Sequence, residues 1–169
     1  MTMMSWRRRL MAVASLLALI SPAVARGDAA TGEWDRFAPI VLGEGHDEVV
    51  VFTAPSCPYC RQLIDHLPAL AESYRVIVLP ISFTGYDAQR VRAIACAADR
   101  EAAARAFLLH QDIILPQQEP CDLDVITARY AEAQRQRVTA VPFIIRSDGE
   151  VSQGLRPDLD AWLARGTKP

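Results

Sequence analysis

The 169-residue sequence has a single lysine, Lys168, three histidines and no glycine-rich phosphate loop. The missing loop removes the usual cradle for a nucleotide, and nothing else calls for a flavin or other cofactor. The formal net charge is only −2. A balance so close to neutral gives no reason to expect nucleic acid or an anionic membrane surface as a partner. His46, His66 and His110 lack the mutual spacing of a metal site or a catalytic triad. Internal repeats, low-complexity tracts and long linkers are absent from the sequence. What remains is an ordinary globular composition, 51% hydrophobic and 22% charged, long enough for one domain with a hydrophobic core.

The beginning of the chain has the pattern of an export signal. Trp6-Arg7-Arg8-Arg9 is positive, Leu10 to Ile20 is uncharged and mostly apolar, and Ser21-Pro22 breaks the run. Ala23-Val24-Ala25 then supplies the small-x-small pattern of a cleavage site. As a helix, the apolar run reaches only about 17 Å, against a bilayer core of about 30 Å. Residues 1–25 are therefore expected to be a signal peptide cleaved after Ala25. All four cysteines follow that point and would enter an oxidising space, where disulfides persist. Arginine in place of lysine points to a GC-rich bacterial genome, and the two observations together to the periplasm.

Residues 26–47 form an N-terminal extension with a candidate first strand, and residues 48–169 form the main domain. Val49-Val50-Val51-Phe52-Thr53 is β-branched and aromatic, as a buried strand should be. After the turn Ala54-Pro55-Ser56, a helix pattern begins at Cys57 and places Cys60, Leu63, Ile64, Leu67 and Leu70 on one face. Pro68 is expected to kink or split that helix. Arg75 to Ile81 reads as a second buried strand, completing a βαβ unit. Helical patterns fill most of residues 86–137, interrupted around Pro116 and Pro120. Val141 to Arg146 and Glu150 to Leu155, joined by the turn signal Ser147-Asp148-Gly149, read as a hairpin. Asp158 to Arg165 reads as a short closing helix.

The chemistry is concentrated in Cys57-Pro58-Tyr59-Cys60. A C-x-x-C pair can exchange disulfides, supply half of a zinc site, or close a small structural loop. No second C-x-x-C and no H-x₃₋₅-H pair accompanies it, and the strand–turn–helix setting favours redox chemistry. A sulfur at a helix N-terminus faces unpaired N–H groups and the positive end of the helix dipole, which favour its thiolate. Cys57 occupies that position, and Cys60 lies one turn further in, shielded. Cys57 would then attack a disulfide and Cys60 would resolve the mixed disulfide.

Taken in order, Val50-Val51-Phe52-Thr53, Cys57 to Cys60, Ala95-Cys96-Ala97-Ala98-Asp99, Pro120-Cys121-Asp122, Thr139-Ala140-Val141-Pro142 and Asp148-Gly149 form a series. It resembles the catalytic domain of periplasmic disulfide isomerases of the DsbC/DsbG type, over roughly residues 48–165. The resemblance implies an α/β thioredoxin fold with a helical insertion between the βαβ unit and the cis-proline hairpin. It implies Cys57 as nucleophile, Cys60 as resolving thiol and a cis Val141–Pro142 bond beside them. Val141, Pro142, Pro58 and Tyr59 would contact substrate, and no metal is implied. It further implies that Cys96 and Cys121 form a structural disulfide, a closure that contributes roughly 3–4 kcal/mol in the chain-entropy model.

The implied activity is that of a thiol–disulfide oxidoreductase, isomerase or reductase in direction. Its partners would be disulfide-containing exported proteins and a membrane reductant of the DsbD type. Only about 20 residues separate the expected cleavage site from the first strong strand, so the isomerases' dimerisation domain is not expected and a monomer is. The pair Pro58-Tyr59 also occurs in glutaredoxins, and valine before the cis-proline occurs in DsbA-type oxidases, which makes thiol oxidase the alternative. Val51 stands where thioredoxins place a buried acid. From another class, a non-catalytic chaperone or accessory factor of an envelope assembly system is the competing reading.

Overall fold

The structure, a computed structural model, describes residues 32–121 and 123–167. The expected signal segment and its cleavage point lie outside the described residues. A single 3₁₀ turn (Asp35–Phe37) leads into strand β1 (Ile40–Leu42), which falls within the stretch read as an extension with a candidate strand. Strand β2 (Glu48–Thr53), helix α1 (Pro58–Leu70) and strand β3 (Arg75–Pro80) follow. Helices α2 (Gly85–Cys96), α3 (Arg100–Leu108) and α4 (Asp124–Arg135) occupy the insertion. Strands β4 (Phe143–Ile145) and β5 (Val151–Gln153) form the hairpin, and helix α5 (Leu159–Ala164) closes the domain.

The five strands make one sheet in the order β1-β3-β2-β4-β5. β2 and β3 run parallel, joined by α1, while β1, β4 and β5 each pair antiparallel to their neighbours. This is the thioredoxin-type α/β arrangement expected from the residue series.

Alternation along β2 explains why its residues are apolar almost without interruption. Successive side chains of a strand point to opposite faces. Val49 and Val51 join a core with Leu63, Ile64, Leu67 and Leu70 of α1, Phe107 of α3 and Trp162 of α5. Val50 and Phe52 join a second core with Trp34, Phe37, Phe143 and Ala133 of α4. A strand covered on both faces has no polar face to show.

Pro68 does not split α1, contrary to the expectation from its sequence position; the helix runs to Leu70 with Pro68 inside it. Pro68 is solvent-exposed in the last turn and removes a single helix bond, that to the carbonyl of Ile64. The flanking Leu67 and Leu70 are buried and hold the turn to the sheet. The helical pattern of the insertion divides at Ala97–Asp99, because Asp99 starts α3 by accepting the N–H of Ala102. Just before the break, a disulfide joins Cys96 to Cys121 with their Cα atoms 5.3 Å apart. Ala97 makes an isolated antiparallel bridge with Gln117.

Arg129 of α4 fastens the N-terminal segment. Its guanidinium is buried and donates to the carbonyls of Phe37 and Ala38 at 2.7 and 2.6 Å. A third, longer bond reaches Pro80 O at the end of β3. Burial, and then the neighbouring Arg100, pull its ionisation down to about 10.

Candidate active site

The end of β2 and the start of α1 place the two cysteines. Ala54-Pro55-Ser56-Cys57 is a turn closed by the Cys57 N–H on Ala54 O at 3.1 Å. Cys57 has extended backbone angles (φ −82°, ψ 118°) and caps α1, with Pro58 in the first turn. Proline suits that position because its missing N–H would be unpaired there anyway. The Cys57 sulfur accepts the N–H of Cys60 at 3.1 Å.

The two thiols differ in environment. Cys57 is half-buried, whereas Cys60 is 1% exposed. Burial first, and then the hydrogen bond with Cys57, push the Cys60 thiol up to about 12. The Ala54 backbone and the Thr53 hydroxyl pull weakly the other way. That hydroxyl is buried and has no partner within hydrogen-bonding geometry among the described residues.

The loop before β4 comes against this turn. The Val141–Pro142 peptide bond is cis, and the Cys57 thiol donates to Val141 O at 3.4 Å across 84 residues of sequence. Pro142 is buried and Val141 half-buried. Pro58 and Tyr59 are exposed, Tyr59 by 60%. Cys57, Cys60, Val141, Pro142, Pro58 and Tyr59 are thus brought to one place, and Cys96–Cys121 lies in the insertion. The Glu119–Pro120 bond is also cis.

Other singled-out residues lie elsewhere. His66 contacts Asp160 of α5 at 2.7 Å, and His110 contacts Asp65 of α1 at 2.8 Å. Arg61 is exposed on α1. Trp34 packs against Phe37 and Phe52. Among the described residues, no group of three or more His, Cys, Asp or Glu is arranged to hold a metal ion.

Asp87 was not legible as part of this region. Its carboxylate, buried in the first turn of α2, accepts the Ser56 N–H at 2.7 Å and the Ser56 hydroxyl at 3.0 Å. It also accepts the N–H groups of Phe83 and Thr84 and the Thr84 hydroxyl. Burial alone would raise this carboxyl, but the donors from Ser56, Phe83 and Thr84 outweigh it and hold it below its usual range. The available sequence signal was Thr84-x-x-Asp87, the spacing of a capping box. Phe83, brought beside Ser56 by the shared carboxylate, is 55% exposed.

Comparison with known proteins follows the same lines. A family model described as a thioredoxin-like domain matches residues 39–165. No curated protein matches the chain. Among solved structures, the chain is similar to a disulfide interchange protein from Neisseria gonorrhoeae, with a TM-score of 0.62 and 17% identity over 80% of this chain and 98% of that one. It is similar to the catalytic domain of Proteus mirabilis ScsC, with a TM-score of 0.59 and 16% identity over 76% and 89% of the two chains. A periplasmic thioredoxin-like protein from Salmonella enterica serovar Typhimurium gives a TM-score of 0.53 and 20% identity over 77% and 90%. At these identities the likeness is one of fold.

Proposed function

Because the chain belongs to the thioredoxin-like domain family, we propose that it is a thiol–disulfide oxidoreductase acting on disulfides of exported proteins. Cys57 is its nucleophile and Cys60 its resolving thiol. The observation that carries this reading is the Cys57 sulfur at the mouth of α1, half-exposed, with the Cys60 N–H directed at it.

In the reducing direction, the Cys57 thiolate attacks one sulfur of a substrate disulfide. The substrate S–S bond breaks, a Cys57–substrate disulfide forms, and the released thiolate takes up a proton. Cys60, losing its proton to solvent, then attacks the Cys57 sulfur. The second substrate thiol departs, and the Cys57–Cys60 disulfide holds the two electron equivalents of oxidation. In isomerisation, a different cysteine thiolate of the substrate attacks the substrate sulfur of the mixed disulfide, a new substrate disulfide forms, Cys57 leaves as thiolate and the dithiol is recovered. Val141, with its carbonyl beside Cys57, is read as the backbone against which an extended substrate segment lies. Tyr59, between the two cysteines, and Phe83, tied to Ser56 through Asp87, offer exposed aromatic surface.

The setting is the periplasm, with a monomeric enzyme returned to its dithiol state by a membrane reductant of the DsbD type. Isomerase or reductase is the preferred direction, and the names of the similar interchange and periplasmic proteins support the compartment and the substrate class. The test is reduction of insulin and refolding of a scrambled multi-disulfide protein. Cys57→Ser is expected to abolish both activities, and Cys60→Ser to accumulate mixed disulfides. Oxidation of a reduced substrate without any reshuffling would move the assignment to thiol oxidase. Full function of Cys57→Ser in the cell would leave a non-catalytic chaperone.

A further inference from the structure

Asp87 makes more bonds than a helix cap needs. A capping box is satisfied by the reciprocal contacts of Thr84 and Asp87. The carboxylate goes on to take both donors of Ser56, 31 positions away. Ser56 is the third residue of the turn closed by Cys57 N–H and Ala54 O, and the N–H of that position has no partner within such a turn. Asp87 therefore ties the residue immediately before the nucleophile to the insertion. Ser56 itself is solvent-exposed, so packing around its side chain does not replace the tie.

We infer that Asp87 is a positioning residue that holds the Ser56–Cys57 turn in place when the active-site pair is in its dithiol state. The inference rests on the redox reading of Cys57 and Cys60. In the disulfide state, the covalent Cys57–Cys60 ring fixes Cys57 to the first turn of α1. In the dithiol state that bond is gone, and the turn depends on its hydrogen bonds, above all on those to Asp87. Loss of the carboxylate therefore destabilises the dithiol more than the disulfide, and the equilibrium with glutathione moves toward the disulfide. Asp87→Asn repairs this only in part, because whichever way the amide turns, its NH2 faces at least one backbone N–H, that of Ser56 or those of Phe83 and Thr84.

The test is the glutathione equilibrium of the Cys57–Cys60 pair in the full chain, with the unfolding free energy of each redox form measured alongside. The comparison variants are Asp87→Asn and Ala88→Gly. Ala88 is exposed in the same turn of α2, and glycine there weakens the helix without touching the carboxylate. Asp87→Asn is expected to move the equilibrium about tenfold toward the disulfide, equivalent to about 30 mV for a two-electron couple. Ala88→Gly is expected to weaken both redox forms alike and to leave the equilibrium within about twofold.

An Asp87→Asn protein that behaves like Ala88→Gly, or that shifts toward the dithiol, overturns the inference and reduces Asp87 to a cap. Should Asp87→Asn not fold, Ser56→Ala removes one of the two bonds from an exposed residue. A shift of at least twofold toward the disulfide then supports the inference, and an unchanged equilibrium overturns it. A wild-type chain that exchanges no disulfide with glutathione would fail at an earlier step, sinking the redox reading itself.

Discussion

Cys57 and Cys60 are the same residue type three positions apart, and their surroundings assign them different work. Cys57 receives an amide N–H at its sulfur and reaches the surface, whereas Cys60 lies under the turn with its thiol pushed up to about 12 by burial and by Cys57. A raised acid stays protonated across the neutral range, and only a thiolate is alkylated. At pH 8 Cys60 therefore stays protonated. Brief treatment of the reduced protein with iodoacetamide at pH 8 is expected to label Cys57 alone, as read by peptide mapping. Labelling of Cys60 should emerge only as the pH approaches the value set by its burial. Equal labelling of both cysteines at pH 8 would contradict the shielded role of Cys60.

At the level of elements, the N-terminal segment is held by a cation whose hydrogen bonds go to backbone carbonyls. Arg129 of α4 donates to backbone carbonyls of Phe37, Ala38 and Pro80, so its charge is solvated by the chain itself. Arg129→Met keeps the volume and leaves those carbonyls without a donor. Each buried unsatisfied group costs about 1–3 kcal/mol, so a loss of at least about 2 kcal/mol is expected in chemical denaturation. Faster hydrogen exchange in β1 than in β2 should accompany it. A change below about 0.5 kcal/mol would mean that water replaces the guanidinium at no cost. The pattern of the elements themselves was readable: β-branched runs marked β2 and β3, and the apolar stripe from Cys60 to Leu70 marked α1. The split that Pro68 suggested does not occur, because Leu67 and Leu70, buried on either side of it, hold the turn to the sheet despite the one lost helix bond.

For the whole molecule, the Cys96–Cys121 bond separates stability from chemistry. It closes a 25-residue separation within the insertion, and neither cysteine is among the hydrogen-bond partners of Cys57. Replacing both cysteines by alanine is expected to cost about 2–5 kcal/mol, measured by denaturant midpoint. Insulin reduction by the folded variant should be preserved. If that activity fell with the stability measurement still showing a folded protein, the insertion would be coupled to the site more tightly than through Asp87. The two cores on either side of the sheet make the domain a three-layer stack in which β2 is central. The turn that carries Cys57 is therefore an extension of the central strand.

Local chemistry is written in consecutive residues, so the sequence alone determined the βαβ unit, the hairpin, the cysteine pair at the helix mouth and the turn that presents it. Strand alternation, helical periodicity and the Cys57-Pro58-Tyr59-Cys60 spacing all act over a few positions and need no partner to be recognised. The resemblance already implied Val141 beside the Cys57 turn, whereas only the tertiary structure decided Asp87 beneath Ser56 and Arg129 under the N-terminal segment. Those contacts join residues 31 to 92 positions apart. Each arises because the sheet order and helix packing bring distant backbone groups within hydrogen-bonding distance, a property of the assembled layers that no short stretch of sequence contains.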